Sequence, residues 1–143
     1  MQYIVTNYRG VLVVGSSMFP ALKHGDYCMI RLTQDVQRGD IVIVNFSERH
    51  IVKRVVGLPG ETIIVSGRNV YIKRDKGHLF PISEIYLPID QNLGERKEYK
   101  VGADEVFILG DNRAHSHDSR AFGPIKISQI EGKMFVQLIN LCF

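Results

Sequence analysis

The chain has 143 residues, 45% of them hydrophobic and 23% charged, which fits one globular domain and excludes a disordered or fibrous chain. Eighteen Lys and Arg against fifteen Asp and Glu leave a net charge of +3 spread along the chain, so there is no basic arm and no nucleic-acid partner is expected. Two cysteines, Cys28 and Cys142, exclude a disulfide-rich scaffold and a Cys-cluster zinc site; the simplest reading leaves both unpaired.

In chain order, residues 11–14 read as an apolar strand running into Gly15-Ser16-Ser17-Met18-Phe19-Pro20-Ala21-Leu22, with one helical turn around residues 19–22. Residues 27–32 form an apolar run holding Cys28. Arg38-Gly39-Asp40 then introduces the β-branched strand Ile41-Val42-Ile43-Val44-Asn45-Phe46. Further strands are expected at 51–56, 62–65 and 69–72, the last two joined by Ser66-Gly67-Arg68, with Gly67 at positive φ. Residues 74–100 differ in texture: Lys76-Gly77, Pro81, Pro88, Asn92-Leu93-Gly94 and a charged stretch read as an insertion of loop and irregular strand. Strands at 105–109 and 134–139, with a short helix at 128–132 between them, close the chain. The expectation is a single mainly β domain over 1–143, a partly open barrel or sandwich, with its core at about 1–73 and 101–143. No apolar run approaches the roughly 18–20 residues that span a bilayer.

Three segments could carry chemistry. In the first, Ser17 sits after a sharp Gly15-Ser16 turn; it is either a helix-capping serine at a strand end or a nucleophile beside free backbone N–H groups. In the second, Lys53 and Arg54 are consecutive in a strand and point to opposite faces. One of them must turn inward, where an unpaired ammonium loses its proton and becomes a general base. The alternative places Lys53 on an exposed edge strand, guarding against aggregation. In the third, Gly110-Asp111-Asn112-Arg113-Ala114-His115-Ser116-His117-Asp118-Ser119-Arg120 carries opposite charges suited to a buttressed loop. His115, His117 and Asp118 also invite a metal reading, but no other His-rich segment lies near to complete a ligand set. A Ser-His-Asp triad based on His24, His50, His115 or His117 is conceivable, although no spacing singles one out.

Together, Ser17-Met18-x-Pro20-x-Leu22, Lys53-Arg54-Val55-Val56-Gly57-Leu58-Pro59-Gly60-Glu61 and Gly110-Asp111-Asn112-Arg113-x-x-Ser116-x-Asp118-Ser119-Arg120 resemble type I signal peptidases, with Gly39-Asp40-Ile41-Val42 as a fourth segment in family order. The resemblance implies a signal-peptidase or LexA-like β-barrel-type core with a small inserted hairpin or loop region. It implies a serine endopeptidase that removes signal peptides from secreted preproteins by a Ser-Lys dyad, with no metal or cofactor. Ser17 would be the nucleophile and Lys53 the base, with Ser116 hydrogen-bonded to the Lys53 amine. Arg54, Asp111, Asp118 and Arg120 would be an ion-paired scaffold. Some family members carry a serine where this chain has Gly15, so a backbone donor such as the Ser17 N–H must hold the oxyanion, with Ser16 as a further candidate.

The substrate, of Ala-x-Ala type before the scissile bond, would lie extended against Val11, Val13, Val14 and Met18 on one side and His50, Ile51 and Val52 on the other. Met18 and Phe19 are expected to form an exposed apolar pair at a membrane surface. The resemblance places the protein on the outer face of a cytoplasmic or organellar inner membrane. Family members are anchored there by a helix just upstream of the nucleophile, which this chain would lack. A LexA-like autoprotease and a non-catalytic peptide-binding module are the alternatives. Against the first, no helix-turn-helix precedes the core and no Ala-Gly cleavage site is evident.

Overall fold

The computed structural model describes residues 7–67, 69–84 and 94–138; Arg68, Pro88, Asn92, Leu93, Ile139 and Cys142 lie outside these. Among the described residues eleven strands form two antiparallel sheets. In chain order they are β1 (Tyr8–Leu12), β2 (Tyr27–Arg31), β3 (Ile41–Phe46), β4 (Arg49–Gly57), β5 (Thr62–Ser66), β6 (Asn69–Lys73), β7 (Leu79–Pro81), β8 (Lys97–Lys100), β9 (Glu105–Leu109), β10 (Ile125–Lys126) and β11 (Ile130–Leu138). One short helix, α1 (Ser119–Phe122), follows β9.

The larger sheet runs β1-β2-β11-β3-β4-β9-β10 and the smaller β7-β6-β5-β8. The fold is mainly β, as the strand pattern predicts. β9 lies between two hydrophobic clusters, one within the larger sheet and one between the larger sheet and the smaller. It is a continuous apolar run, and alternate residues of a strand face opposite ways. Val106 and Ile108 pack with Val42, Val44 and Val55, while Phe107 and Leu109 pack with Val56, Ile63, Val65 and Val70 of the smaller sheet. Side chains of this size stabilise by roughly 1.5–3 kcal/mol each when fully buried. At Gly57 a Cβ would come within 2.7 Å of Ile63 Cγ1 and 2.8 Å of Phe107 Cβ, so glycine is required where the sheets approach most closely.

Residues 74–100 supply β7 and β8, the outer strands of the smaller sheet, around the β5–β6 hairpin in which Gly67 has φ 58°. The strand expected at 11–14 begins earlier, at Tyr8, and Val13 continues its pairing by donating to Asp26 O at 2.8 Å. The helix expected at 128–132 is not formed. A 3-10 turn covers Ile127–Gln129, and Ile130 already opens β11. Gly132 is not a helix terminus: a Cβ there would sit 2.5 Å from Arg31 O, so it serves close strand approach. Cys28 is buried and free, among Val13, Met18, Leu22 and Ile41.

Two strand edges are unpaired and lie near one another. Among the described residues β1 pairs only with β2, and β4 pairs with β9 only from Arg54 onward, leaving the outer edge of residues 49–53 open. The larger sheet therefore curls into a barrel with a seam between β1 and β4. A cavity of about 520 Å³ occupies that seam.

Candidate active site

The turn after β1 is shaped first by local hydrogen bonds. Gly15 adopts φ 90°, a conformation that favours glycine, and its N–H donates to His24 Nδ1 at 3.0 Å. The N–H of Phe19 donates to Ser16 O at 3.1 Å and that of Leu22 to Met18 O at 2.9 Å, making a single turn over the buried Met18 and Leu22. Met18 is 2% exposed and anchors the turn, whereas Phe19 is 48% exposed; the expected exposed pair is thus a single residue. The reason is the cluster beneath, where Leu22, Cys28 and Ile41 enclose the Met18 side chain.

Ser17 is half-buried at the inner end of the seam, and Lys53 Nζ lies 2.9 Å from its Oγ. Lys53 is the last residue of the open β4 edge, paired with Val42 on its other side, and its side chain turns inward, leaving the residue 5% exposed. It is not the guard of an exposed edge. Burial holds its pKa below the ordinary lysine value; the Asp118 carboxylate opposes that shift and the Arg120 guanidinium adds to it. Of the histidines weighed as bases, His24 binds the Gly15 N–H, His50 binds Glu131, and His117 sets its ring edge on Phe122. His115 lies exposed in a 3-10 turn. Among the described residues no group of three or more His, Cys, Asp or Glu is placed to hold a metal ion.

The loop after β9 closes over the pair. Asn112 donates its N–H to Ser17 O at 2.9 Å and its Nδ2 to Ser16 O at 3.1 Å, clamping the nucleophile turn from outside. Gly110 is needed beside it, since a Cβ would overlap Ser116 Oγ and come within 2.7 Å of Ser17 O. Asp111, fully buried, receives Arg54 Nε at 2.9 Å and Nη2 at 2.6 Å, while Arg54 Nη1 donates to Gly39 O. Asp118 accepts from the Gly110 N–H at 3.0 Å, Ser116 Oγ at 2.7 Å and Arg120 Nε at 2.9 Å. Burial alone would raise the Asp118 pKa, but the Arg120 and Gly110 hydrogen bonds hold it below the usual value, so it stays ionised.

Ser116 donates its proton to Asp118, and no hydrogen bond joins it to Lys53 among the described residues. Its Oγ retains lone pairs that can accept from an amine. The Ser17 N–H likewise makes no hydrogen bond among the described residues and is free to meet an oxyanion. Ser16 is exposed, and its carbonyl is already taken by Phe19 and Asn112.

Val11, Val13, Val14, Met18, His50, Ile51 and Val52 all line the seam cavity together with Ser17 and Lys53. Sequence reading gave no role to four residues that shape the site. Asn112 and Gly110 sit inside the polar loop motif and were open to notice there. Glu84, whose Oε1 receives the buried Arg113 at 2.6 Å, and Glu131, on the cavity wall, carry no sequence signal.

A family model described as signal peptidase, peptidase S26, matches residues 2–139. Two proteins named signal peptidase I from Bacillus amyloliquefaciens are 34% and 37% identical to the chain, covering 85% and 87% of it and 70% of each relative. A signal peptidase I from Bacillus caldolyticus is 33% identical, covering 92% of this chain and 78% of its own. The crystal structure of a signal peptidase I from Enterococcus faecalis V583 superposes with a TM-score of 0.59 at 28% identity, covering 71% of this chain and 97% of that one.

Proposed function

This chain belongs to the signal peptidase family, peptidase S26, and we propose that it cleaves its substrates with Ser17 as nucleophile and Lys53 as general base. It is a peptidase that removes signal peptides from preproteins. The observation that carries the residue assignment is the 2.9 Å approach of Lys53 Nζ to Ser17 Oγ at a lysine only 5% exposed. Burial favours the neutral form of this amine, and a neutral amine at this distance takes a hydroxyl proton.

The steps follow from that geometry. Lys53 accepts the Ser17 proton as Oγ attacks the scissile carbonyl, and the Ser17 N–H stabilises the oxyanion. Lys53 then protonates the leaving amine, releasing the mature chain from the acyl-enzyme. It next deprotonates a water that attacks the ester. Asp118 holds the Ser116 proton, which leaves the Ser116 Oγ lone pairs open to accept from the Lys53 amine and orient it as the reaction proceeds. The Arg54–Asp111 and Arg120–Asp118 pairs keep the loop in register.

The substrate lies extended in the seam and pairs main chain to main chain with the open edges of β1 and β4. Small side chains of the Ala-x-Ala kind fit beside Val13, Met18 and Val52. Exposed apolar residues next to the nucleophile support a membrane surface as the working environment: Val14 is 77% and Phe19 48% exposed. Among the described residues no helix is long and apolar enough to cross a membrane.

The test is cleavage of an Ala-x-Ala peptide by wild type, Ser17→Ala and Lys53→Ala. Loss of turnover in both variants is expected, with the circular dichroism of the folded protein retained. Near-normal turnover in Lys53→Ala would exclude the dyad. For the membrane, Phe19→Ser is expected to weaken vesicle flotation, and equal partitioning would remove Phe19 from the lipid contact.

A further inference from the structure

The far end of the seam carries charge that the chemistry at Ser17 does not use. Glu131, at the start of β11, accepts from His50 Nε2 at 2.8 Å and from Arg9 Nη1 at 3.4 Å, and all three side chains line the same cavity as Ser17. The carboxylate is the shielded member, with its side chain 27% exposed against 57% for Arg9 and 60% for His50. Because a carboxylate only accepts, the His50 Nε2 bonded to it carries a proton. Arg9 uses one of its five donors on Glu131, and that bond is long. The groove therefore meets an incoming peptide at this end with a guanidinium and an imidazole, tethered from behind by Glu131.

We infer that Arg9, His50 and Glu131 form a distal specificity subsite that selects an acidic side chain in the peptide, about five residues before the scissile bond. The placement comes from strand geometry and rests on the extended substrate proposed above, running parallel to β1. Arg9 precedes Val14 by five positions on the same edge, and an extended chain advances about 3.3 Å per residue, or about 17 Å in all. A carboxylate there takes the donors of Arg9 that Glu131 leaves open. A lysine meets the exposed guanidinium and is repelled.

The contact is remote from the reacting bond and is made equally in ground and transition states. It therefore acts on KM and leaves kcat unchanged. An exposed ion pair of this kind corresponds to a preference of about two- to fivefold in kcat/KM.

The experiment compares Ala-x-Ala peptides carrying Glu, Gln or Lys at the fourth, fifth or sixth residue before the scissile bond, with wild type, Arg9→Gln and Arg9→Glu. Wild type is expected to favour Glu over Lys at the fifth or sixth position through KM. Arg9→Gln flattens that ratio and Arg9→Glu inverts it. Each ratio is internal to one protein preparation, so differences in folded fraction cancel, and the wild-type series decides the matter even if a variant does not fold. Equal kcat/KM for Glu and Lys peptides at all three positions overturns the subsite while leaving the peptidase reading intact. Failure of wild type to cleave any of the peptides overturns that reading, and the subsite with it.

Discussion

Lys53 and Arg54 are neighbours on β4, both cationic and both nearly buried, yet their surroundings differ completely. Arg54 meets a buried carboxylate through two hydrogen bonds of 2.9 and 2.6 Å, with a third to a backbone carbonyl. Lys53 meets a hydroxyl; the carboxylate whose field reaches it, Asp118, is already bonded to Arg120, Ser116 and the Gly110 N–H. The fold satisfies one charge in full and withholds satisfaction from the other. A paired guanidinium serves as a fixed strut, whereas an amine denied its own carboxylate is ready to accept a proton.

Removing the base breaks the comparison on its reactive side and gives the largest effect. Lys53→Met is expected to lower kcat by about 10⁴-fold or more, as loss of one member of a nucleophile–base unit does. The same variant should hold or gain stability, because it removes a desolvation cost. Urea titration beside the peptide assay checks both at once.

On the other side of the strand, Asp111→Ala leaves Arg54 buried without its carboxylate. A destabilisation of about 3–5 kcal/mol is expected, read as a shift of the urea midpoint at unchanged slope. A loss below 1 kcal/mol would mean that the Arg54 charge escapes to solvent. Gly110→Ala probes the loop joining the two sides. Its methyl must displace Ser116 or the Ser17 carbonyl, and a misplacement of about 1 Å lowers kcat by about 10²-fold.

Titration sharpens the contrast further. Because burial lowers the folded-state pKa of Lys53, the unfolded chain binds more protons between that depressed value and the ordinary lysine value of 10.5. Stability contributed by this group therefore rises with pH across that window, and activity rises with it as the amine becomes neutral. In Lys53→Met this part of the slope disappears. A wild-type activity profile flat from neutral to alkaline pH places the transition at or below neutrality; a rise only near 10.5 would contradict the depressed pKa. The smallest effect belongs to Lys73 and Glu98, an exposed pair at 3.3 Å, where Lys73→Ala should change stability by less than about 1 kcal/mol.

Legibility in the sequence followed the same divide between pattern and context. β3 was plain, since Ile41-Val42-Ile43-Val44 is β-branched and follows Gly39-Asp40. The turn into β4 was hidden because Ser47 and Glu48 take φ 48° and 65° without the glycine or asparagine that announces such a turn. The first half of β1 was missed because Tyr8, Arg9 and Gly10 lie at the sheet margin, where no alternation is enforced; a Cβ on Gly10 would meet the Tyr27 ring lying over it. At the site, Ser17 and Lys53 could be nominated from the motifs they occupy, but their contact joins residues 36 positions apart and needed the sheet to make it. Glu84 and Glu131 belong to charged stretches like many others. Only the folded positions of Arg113 and Arg9 give them partners.

The seam between β1 and β4 has a consequence for the life of the protein in a crowded solution. An open barrel exposes backbone donors and acceptors beside valines and isoleucines, the features by which one chain recruits a strand from another and starts an aggregate. The molecule blunts this hazard at both ends. Gly15, at φ 90°, bends the chain away so that the β1 edge stops short. Arg9, His50 and Glu131 set charge across the outer mouth, where a stray strand would begin to pair. What remains is a short template, long enough for a few residues of a processed chain and too short and too guarded for a sheet to grow from it.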